Sequence, residues 1–281
     1  MNALYPLPDR TELLGGRYRV ASYMARGGSS FVYVGRDDAG RKVIIKELVE
    51  NQSCQRSQGQ LVLTLLDGQA WHYHVRRQSF ILEMQRMAVI HSPYIVGVRD
   101  YFAENQTLYL ILDFIGGESL RTALTHQRTW SEYECAGVLL DGLNALRVLK
   151  ALDWVHCDVK PENIFLPIDG HALLLDMGST YQQKRHSLLE AQADERDKVA
   201  ITEHYSAPEF YAADSPLPVG TWSDIYALGQ TVLDMRAYSC WSGAFTRFVQ
   251  RLAHPDVRYR ATLDLDGLIE ECAFLQRTAA Q

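Results

Sequence analysis

The chain has 281 residues, 47% hydrophobic and 22% charged, the composition of a folded protein with core enough for one sizeable domain or two small lobes. A formal net charge of -6 argues against nucleic-acid binding as the main role. Five widely spaced cysteines without a CxxC pair fit a reducing compartment rather than a disulfide scaffold. The opening MNALYPLPDR lacks the basic-then-apolar pattern of a secretory signal, and no apolar run reaches the ~20 residues that span a bilayer.

In chain order, YRVASYMA and SFVYVGR read as strands flanking a Gly/Ser stretch, and KVIIKELV follows a turn at Asp37 to Gly40. In LVLTLLDGQAWHYHV, bulky residues alternate around Asp67-Gly68, which predicts a hairpin over about 59–76 with His72 and His74 on one face. Residues 80–90 suit a helix, with Phe80, Met84, Met87 and Val89/Ile90 on one apolar side. IVGVRDYF and TLYLILDF read as two more strands joined at Glu104-Asn105-Gln106. Beyond Asp113 to Gly117 the texture turns helical. Ser131 and Glu134 form a capping-box signature ahead of Leu139, Leu143, Leu146 and Leu149, and SDIYALGQTVLDM and AFTRFVQRLA also suit helices. Strands and helices are segregated, so the fold class is α+β.

Within VHCDVKPENIFL, residues 155–166, an Asp, a Lys and an Asn stand at fixed offsets around a proline. Phosphoryl transfer needs a base near the attacking hydroxyl, and cationic and metal groups around the moving phosphate. Asp158 suits the base, Lys160 suits the charge growing on the γ-phosphate, and Asn163 offers a neutral oxygen to a metal. Mg2+ prefers oxygen ligands and calls for a carboxylate as well. LLLDMGS supplies one, Asp176, after an apolar run.

These stretches resemble the eukaryotic-like (Hanks-type) protein Ser/Thr kinase family along nearly the whole chain. The family's H-R-D-L-K-P-x-N is similar to His156-Cys157-Asp158-Val159-Lys160-Pro161-Glu162-Asn163, and its D-F-G to Asp176-Met177-Gly178. ARGGSSFV resembles its glycine-rich loop and VIIK its strand lysine, Lys46; Glu83 takes the place of the helix glutamate that pairs with it. Ala207-Pro208-Glu209 matches A-P-E, and HPDVRYR resembles the late D-P-x-x-R, which makes Arg258 the expected partner of Glu209.

The resemblance implies a bilobal kinase-like fold: a strand-rich lobe over 15–112 with a helix, a hinge at 113–117, and a mainly helical lobe over 118–281, all one kinase domain. It also implies ATP with Mg2+ (or Mn2+), and a protein substrate carrying Ser or Thr. Met24, Ala25, Gly27, Gly28, Ser29, Ser30, Val32, Ile44, Lys46, Glu83, Leu112, Asp113, Ile115 and Phe165 would surround the nucleotide. Asn163 and Asp176 would hold the metal, and Thr202 would contact Asp158 and Lys160. An internal spine would run through Val98, Met87, His156, Met177 and Asp224. Ser179, Thr180, Tyr181 and Ser187 stand as candidate autophosphorylation sites. The implied setting is a bacterial cytoplasm or, alternatively, a host cytosol reached by an exported effector.

Several residues depart from the family. Cys157 replaces the arginine that binds an activation-loop phosphate in many relatives, so activity is expected without that clamp, with Cys157 a packing residue. Ala25 and Ser30 replace two loop glycines. Ile44 and Phe165 crowd the expected adenine site, and overfilling typically costs ~1 to 3 kcal/mol, which keeps a nucleotide-binding or protein-interaction scaffold as the alternative. The stretch from Lys46 to Glu83 is long, and its 49–79 insertion is a candidate surface for a regulatory partner. The stretch from Asp224 to Arg258 is short, which predicts the loss of most of the αG region.

Overall fold

The structure, a computed structural model, describes residues 3–182, 202–212 and 215–280. The chain separates into two compact units, Met1–His91 with Val96–Ile115, and Ser92–Ile95 with Gly116–Gln281. Among the described residues, no helix is long and apolar enough to cross a membrane.

The first unit carries β1 (Glu12–Leu13), β2 (Tyr18–Arg26), β3 (Ser30–Asp37), β4 (Lys42–Leu48), β5 (Cys54–Gln55), β6 (Thr64–Leu65), α1 (Ala70–Ala88), β7 (Val98–Glu104) and β8 (Thr107–Asp113). Its main sheet is antiparallel in the order β1-β2-β3-β4-β8-β7. Asn105 and Gln106 both take left-handed backbone angles (φ 51° and 61°), which turns β7 into β8 by the tight hairpin geometry that matches strand twist. Period-two alternation sorts β3 and β4 into two faces. Phe31, Tyr33, Val43, Ile45 and Glu47 are buried on one; Val32, Val34, Ile44 and Lys46 stand half-buried on the other.

The insertion folds differently from the hairpin expected over 59–76. The short ladder is β5 with β6, and Asp67-Gly68 leads into α1 instead of turning a hairpin. Gly68 has φ 74°, a left-handed angle that suits glycine, just before the helix starts at Ala70. The helix therefore begins ten residues earlier than the apolar pattern of 80–90 suggested. Tyr73 is buried and its hydroxyl donates to Gln106 O at 3.1 Å, so tertiary packing outweighs the strand-like alternation. On a helix His72 and His74 leave their shared face, and the His74 ring stacks on Trp71 at 6.3 Å instead. No group of three or more His, Cys, Asp or Glu suited to a metal occurs among the described residues.

The insertion closes over the buried sheet face. Arg56 donates to both carboxylate oxygens of Glu47 at 2.6 and 2.9 Å, and to Tyr33 Oη at 3.3 Å. Tyr33 and Tyr109 donate their hydroxyls to the same carboxylate at 2.6 and 3.1 Å. Burial, then the charge of Glu47, pushes both phenols upward, so both remain donors. Arg56 also ties down the N-terminal segment: its Nε donates to Tyr5 O at 2.8 Å, and its backbone N–H to Ala3 O at 3.0 Å.

The second unit contains β9 (Gly117–Ser119), α2 (Leu120–Thr125), α3 (Glu132–Ala151), β10 (Trp154–Val155), β11 (Ile164–Pro167), β12 (Leu173–Leu174), β13 (Tyr181–Gln182), α4 (Thr221–Leu233), α5 (Gly243–Leu252), α6 (Val257–Ala261) and α7 (Leu265–Ala279). Gly117 has φ 152°, and a Cβ there would lie 2.1 Å from Leu166 O, so only glycine lets β9 pair with β11. The capping box forms as expected: Ser131 Oγ accepts from Glu134 N, and Glu134 accepts from Ser131 N. Leu139, Leu143, Leu146 and Leu149 are buried, with α4 and α7 packed on α3. Between α4 and α5 the chain makes only a short turn, Asp234–Tyr238, in keeping with the expected loss of the αG region.

Candidate active site

In the second unit, HCDVKPEN crosses from β10 to β11 through a turn, Pro161–Asn163, where the proline's fixed φ suits the first position. Lys160 Nζ lies 2.8 Å from Asp158 Oδ1 and 2.7 Å from Oδ2. Asn163 Nδ2 donates to Asp158 O at 2.8 Å and to Oδ2 at 3.0 Å. Thr202 Oγ1 donates to Asp158 Oδ1 at 3.0 Å and accepts from Lys160 Nζ at 3.4 Å. Three polar groups thus converge on one carboxylate, and Thr202 contacts both Asp158 and Lys160.

The base of this cluster is buried. His156 Nδ1 accepts from Asp158 N at 3.2 Å, and on the other side of the ring Nε2 lies 3.0 Å from Leu175 O. That bond fixes the residue just before Asp176. Asp176 itself takes φ 60° and accepts Gly178 N at 3.1 Å, while Met177 is fully buried. Asp224, on α4, accepts the backbone N–H of His156 at 2.7 Å and of Cys157 at 2.9 Å. Burial raises its carboxyl to about 6, against the opposing pull of His156 and these N–H donors. A carboxyl raised on folding stabilises the fold most below its unfolded value and progressively less as pH rises through its folded value. The unfolding free energy of the wild type relative to Asp224→Asn is therefore expected to fall by about 2 kcal/mol between pH 4 and 6. Denaturant melts across that range would show the slope, and a pH-independent difference would contradict it.

Cys157 occupies φ 66° and is buried with Val155 and Val219, against Tyr181 and Phe210. Packing accounts for it, as the sequence suggested. Two of the candidate phosphoacceptors are engaged: Thr180 is buried with its hydroxyl on Met177 Sδ, and Tyr181 donates its hydroxyl to Val219 O while β13 pairs with β10. Ser187 lies outside the described residues.

Glu209 does not meet Arg258. Its carboxylate receives Arg260 Nη2 at 2.7 and 2.5 Å, and Ser223 Oγ at 2.6 Å. Asp256 caps α6 by accepting Arg258 N and leaves that side chain exposed. Val257 and Arg260, three apart, form the buried side of the helix, and this spacing is the signal that distinguishes the two arginines. Arg260→Ala is expected to cost about 3–5 kcal/mol, because it leaves a buried carboxylate uncompensated. Arg258→Ala is expected to stay within about 0.5 kcal/mol. Thermal melts of the two variants check the assignment, and equal losses would overturn it.

In the first unit, Lys46 Nζ meets Glu83 Oε1 at 2.6 Å, with both side chains largely buried. Lys46 is in register with Val32 on β3 and Leu110 on β8; Ile44 is in register with Val34 and Leu112. Ala25 pairs with Val32, so Ala25, Val32, Ile44, Lys46 and Leu112 line neighbouring positions of one sheet. Met24 and Ala25, near the end of β2, are exposed, and Gly27, Gly28 and Ser29 make the turn to a buried Ser30. A Cβ on Gly27 would come within 2.8 Å of Ser30 Oγ, so the serine that replaces a glycine leans on one that remains. Asp113 binds Arg99 at 2.5 Å, and Ile115 is the last residue of the unit. Phe165 is half-buried on β11 of the second unit. Of the spine residues, Met87, His156, Met177 and Asp224 are buried, and Val98 is half-buried at the start of β7.

The chain matches the protein kinase domain family over residues 18–246, and it belongs to that family. It is 29% identical over 233 residues to the serine/threonine-protein kinase PkaB of Streptomyces coelicolor, covering 80% of this chain and 49% of that protein. It is 27% identical over 252 residues to the serine/threonine-protein kinase PknA of Mycobacterium tuberculosis, covering 86% and 52%. The chain thus spans about half the length of these relatives. A solved structure described as "PpkA-294 apo form" shares the fold at a TM-score of 0.77 and 19% identity, covering 96% of this chain and 99% of the other.

Sequence reasoning missed Arg121, Tyr205 and Asp234, which adjoin the Asp158 cluster. Their partners lie 41, 84 and 29 residues apart in the chain, and no local pattern marks them.

Proposed function

We propose that the chain transfers the γ-phosphoryl group of ATP to Ser or Thr hydroxyls of protein substrates. The observation that carries this is the convergence of Lys160, Asn163 and Thr202 on Asp158. Asp158 takes the proton of the attacking hydroxyl, and Lys160 neutralises charge on the phosphoryl oxygens. Lys46, oriented by Glu83, is suited to the α- and β-phosphates. Asn163 and Asp176 present the oxygen donors that Mg2+ takes, or Mn2+ in its place; bound there, the ion would neutralise phosphate charge. Cys157 packs among Val155 and Val219 and offers no fork of donors for a phosphate, which supports activity independent of an arginine clamp. No disulfide joins any of the five cysteines, which fits action in a reducing cytosol.

A nucleotide-binding scaffold is the second reading, motivated by Ile44 in register with Leu112 where a smaller residue would leave more room. Incubation with labelled ATP and Mg2+ separates the two: label on the chain or on dephosphorylated casein supports transfer. A nucleotide-induced thermal shift without label favours the scaffold.

A further inference from the structure

Beside the Asp158 cluster runs a second chain of polar groups. Arg121, on α2, donates Nε to Glu162 Oε1 at 2.7 Å and Nη2 to Tyr205 Oη at 2.6 Å. Tyr205 in turn donates its hydroxyl to Asp234 Oδ2 at 2.5 Å, and His204 Nε2 lies 3.3 Å from the other oxygen. Burial, then the bond to Asp234, pushes the Tyr205 phenol up to about 12, so it keeps the proton it donates.

The two groups that Arg121 holds belong to the two segments that meet at Asp158. Glu162 sits in the Pro161–Asn163 turn, between Lys160 and Asn163. Tyr205 closes a tight turn with Thr202: Tyr205 N and Ser206 N both donate to Thr202 O at 2.9 Å, and Thr202 N donates to Ser206 Oγ at 2.9 Å. Moving Tyr205 therefore moves Thr202, and with it the hydroxyl between Asp158 and Lys160. An isolated ion pair at this exposure would contribute little, since Arg121 and Glu162 side chains are 41% and 46% exposed. A guanidinium with a second, fixed partner restrains geometry instead.

We propose that Arg121 is a positioning residue, which ties the Glu162 turn to the Tyr205 turn and so holds Thr202 against Asp158 and Lys160 without a phosphorylated side chain. This rests on the phosphotransfer function proposed above. It assigns to α2 a task that Cys157, lacking a fork of donors, does not perform.

The test is hydrogen exchange on the whole chain for wild type, Arg121→Ala, Arg121→Lys and Tyr205→Phe, run alongside initial rates on dephosphorylated casein. Arg121→Ala is expected to speed exchange of the Thr202, Tyr205 and Ser206 amides about 10-fold and leave α3 unchanged. It is expected to lower kcat about 10-fold with KM for ATP unchanged. Arg121→Lys reaches one partner but not both, and is expected to recover less than half of the lost rate. Combining Arg121→Ala with Tyr205→Phe should add little to either alone, because the two act as one unit. Unchanged exchange at 202–206 in Arg121→Ala overturns the tether even if the wild type is active, as do rate losses that multiply. Faster exchange with no transfer by the wild type upholds the tether and removes the phosphotransfer function instead.

Discussion

Asp158→Ala is expected to lower the rate of phosphoryl transfer by ~10²- to 10⁴-fold, the usual contribution of a positioned base. The loss exceeds that of a single contact because Asp158 anchors three neighbours. Lys160, Asn163 and Thr202 each reach its carboxylate, so truncation frees the cation, the amide and the hydroxyl together. Its fold should survive, because His156 and Cys157 remain tied to Asp224 by backbone bonds. Asp176→Ala is expected to fail differently. It removes a metal carboxylate, so nucleotide with Mg2+ should no longer raise the melting temperature, whereas Asp158→Ala should retain that shift. Steady-state rates and nucleotide-dependent melts check both. Transfer at the wild-type rate in Asp158→Ala would remove it as the base.

Arg56→Ala is expected to destabilise the protein by about 3–5 kcal/mol, the cost of leaving a buried charge unpaired. Arg56 and Glu47 side chains are fully buried, and Glu47 would retain only the Tyr33 and Tyr109 hydroxyls as donors. The Tyr5 carbonyl would also lose its donor. Since Glu47 follows Lys46 on β4, the loosened strand would carry the lysine of the Lys46–Glu83 pair with it. Arg56→Met with Glu47→Gln should recover most of the loss, because the amide oxygen still accepts from a tyrosine and no charge is stranded. Denaturant melts of wild type, single and double variants give the comparison; a loss under about 1 kcal/mol for Arg56→Ala would show that the pair is not a clamp.

These two predictions differ in how far the sequence foresaw them. Asp158, Lys160 and Asn163 are legible because their spacing is local: a six-residue stretch with a proline delivers all three. The main strands are legible for the same reason, since alternation in SFVYVGR and KVIIKELV writes two faces into the chain. Arg56 was not legible. Its partners Glu47, Tyr33 and Tyr5 lie 9, 23 and 51 residues away, and nothing in its neighbours distinguishes it from a surface arginine. The start of α1 was misread because WHYHV alternates as a strand does, while only Tyr73 of it is buried. The D-P-x-x-R resemblance points to Arg258, whereas helical phase places Arg260 with Val257 on the buried side.

Buried packing continues past both ends of the stretch that matches the family, residues 18–246. Leu7 and Leu13 before it, and Arg260, Leu265 and Cys272 after it, are all but inaccessible to solvent. Homology marks where shared chemistry resides, whereas the buried packing reaches both flanks. A recombinant fragment trimmed to residues 18–246 would strip α3 of α7 and deprive Glu209 of its counter-charge. It would keep every proposed catalytic side chain and still be prone to aggregate.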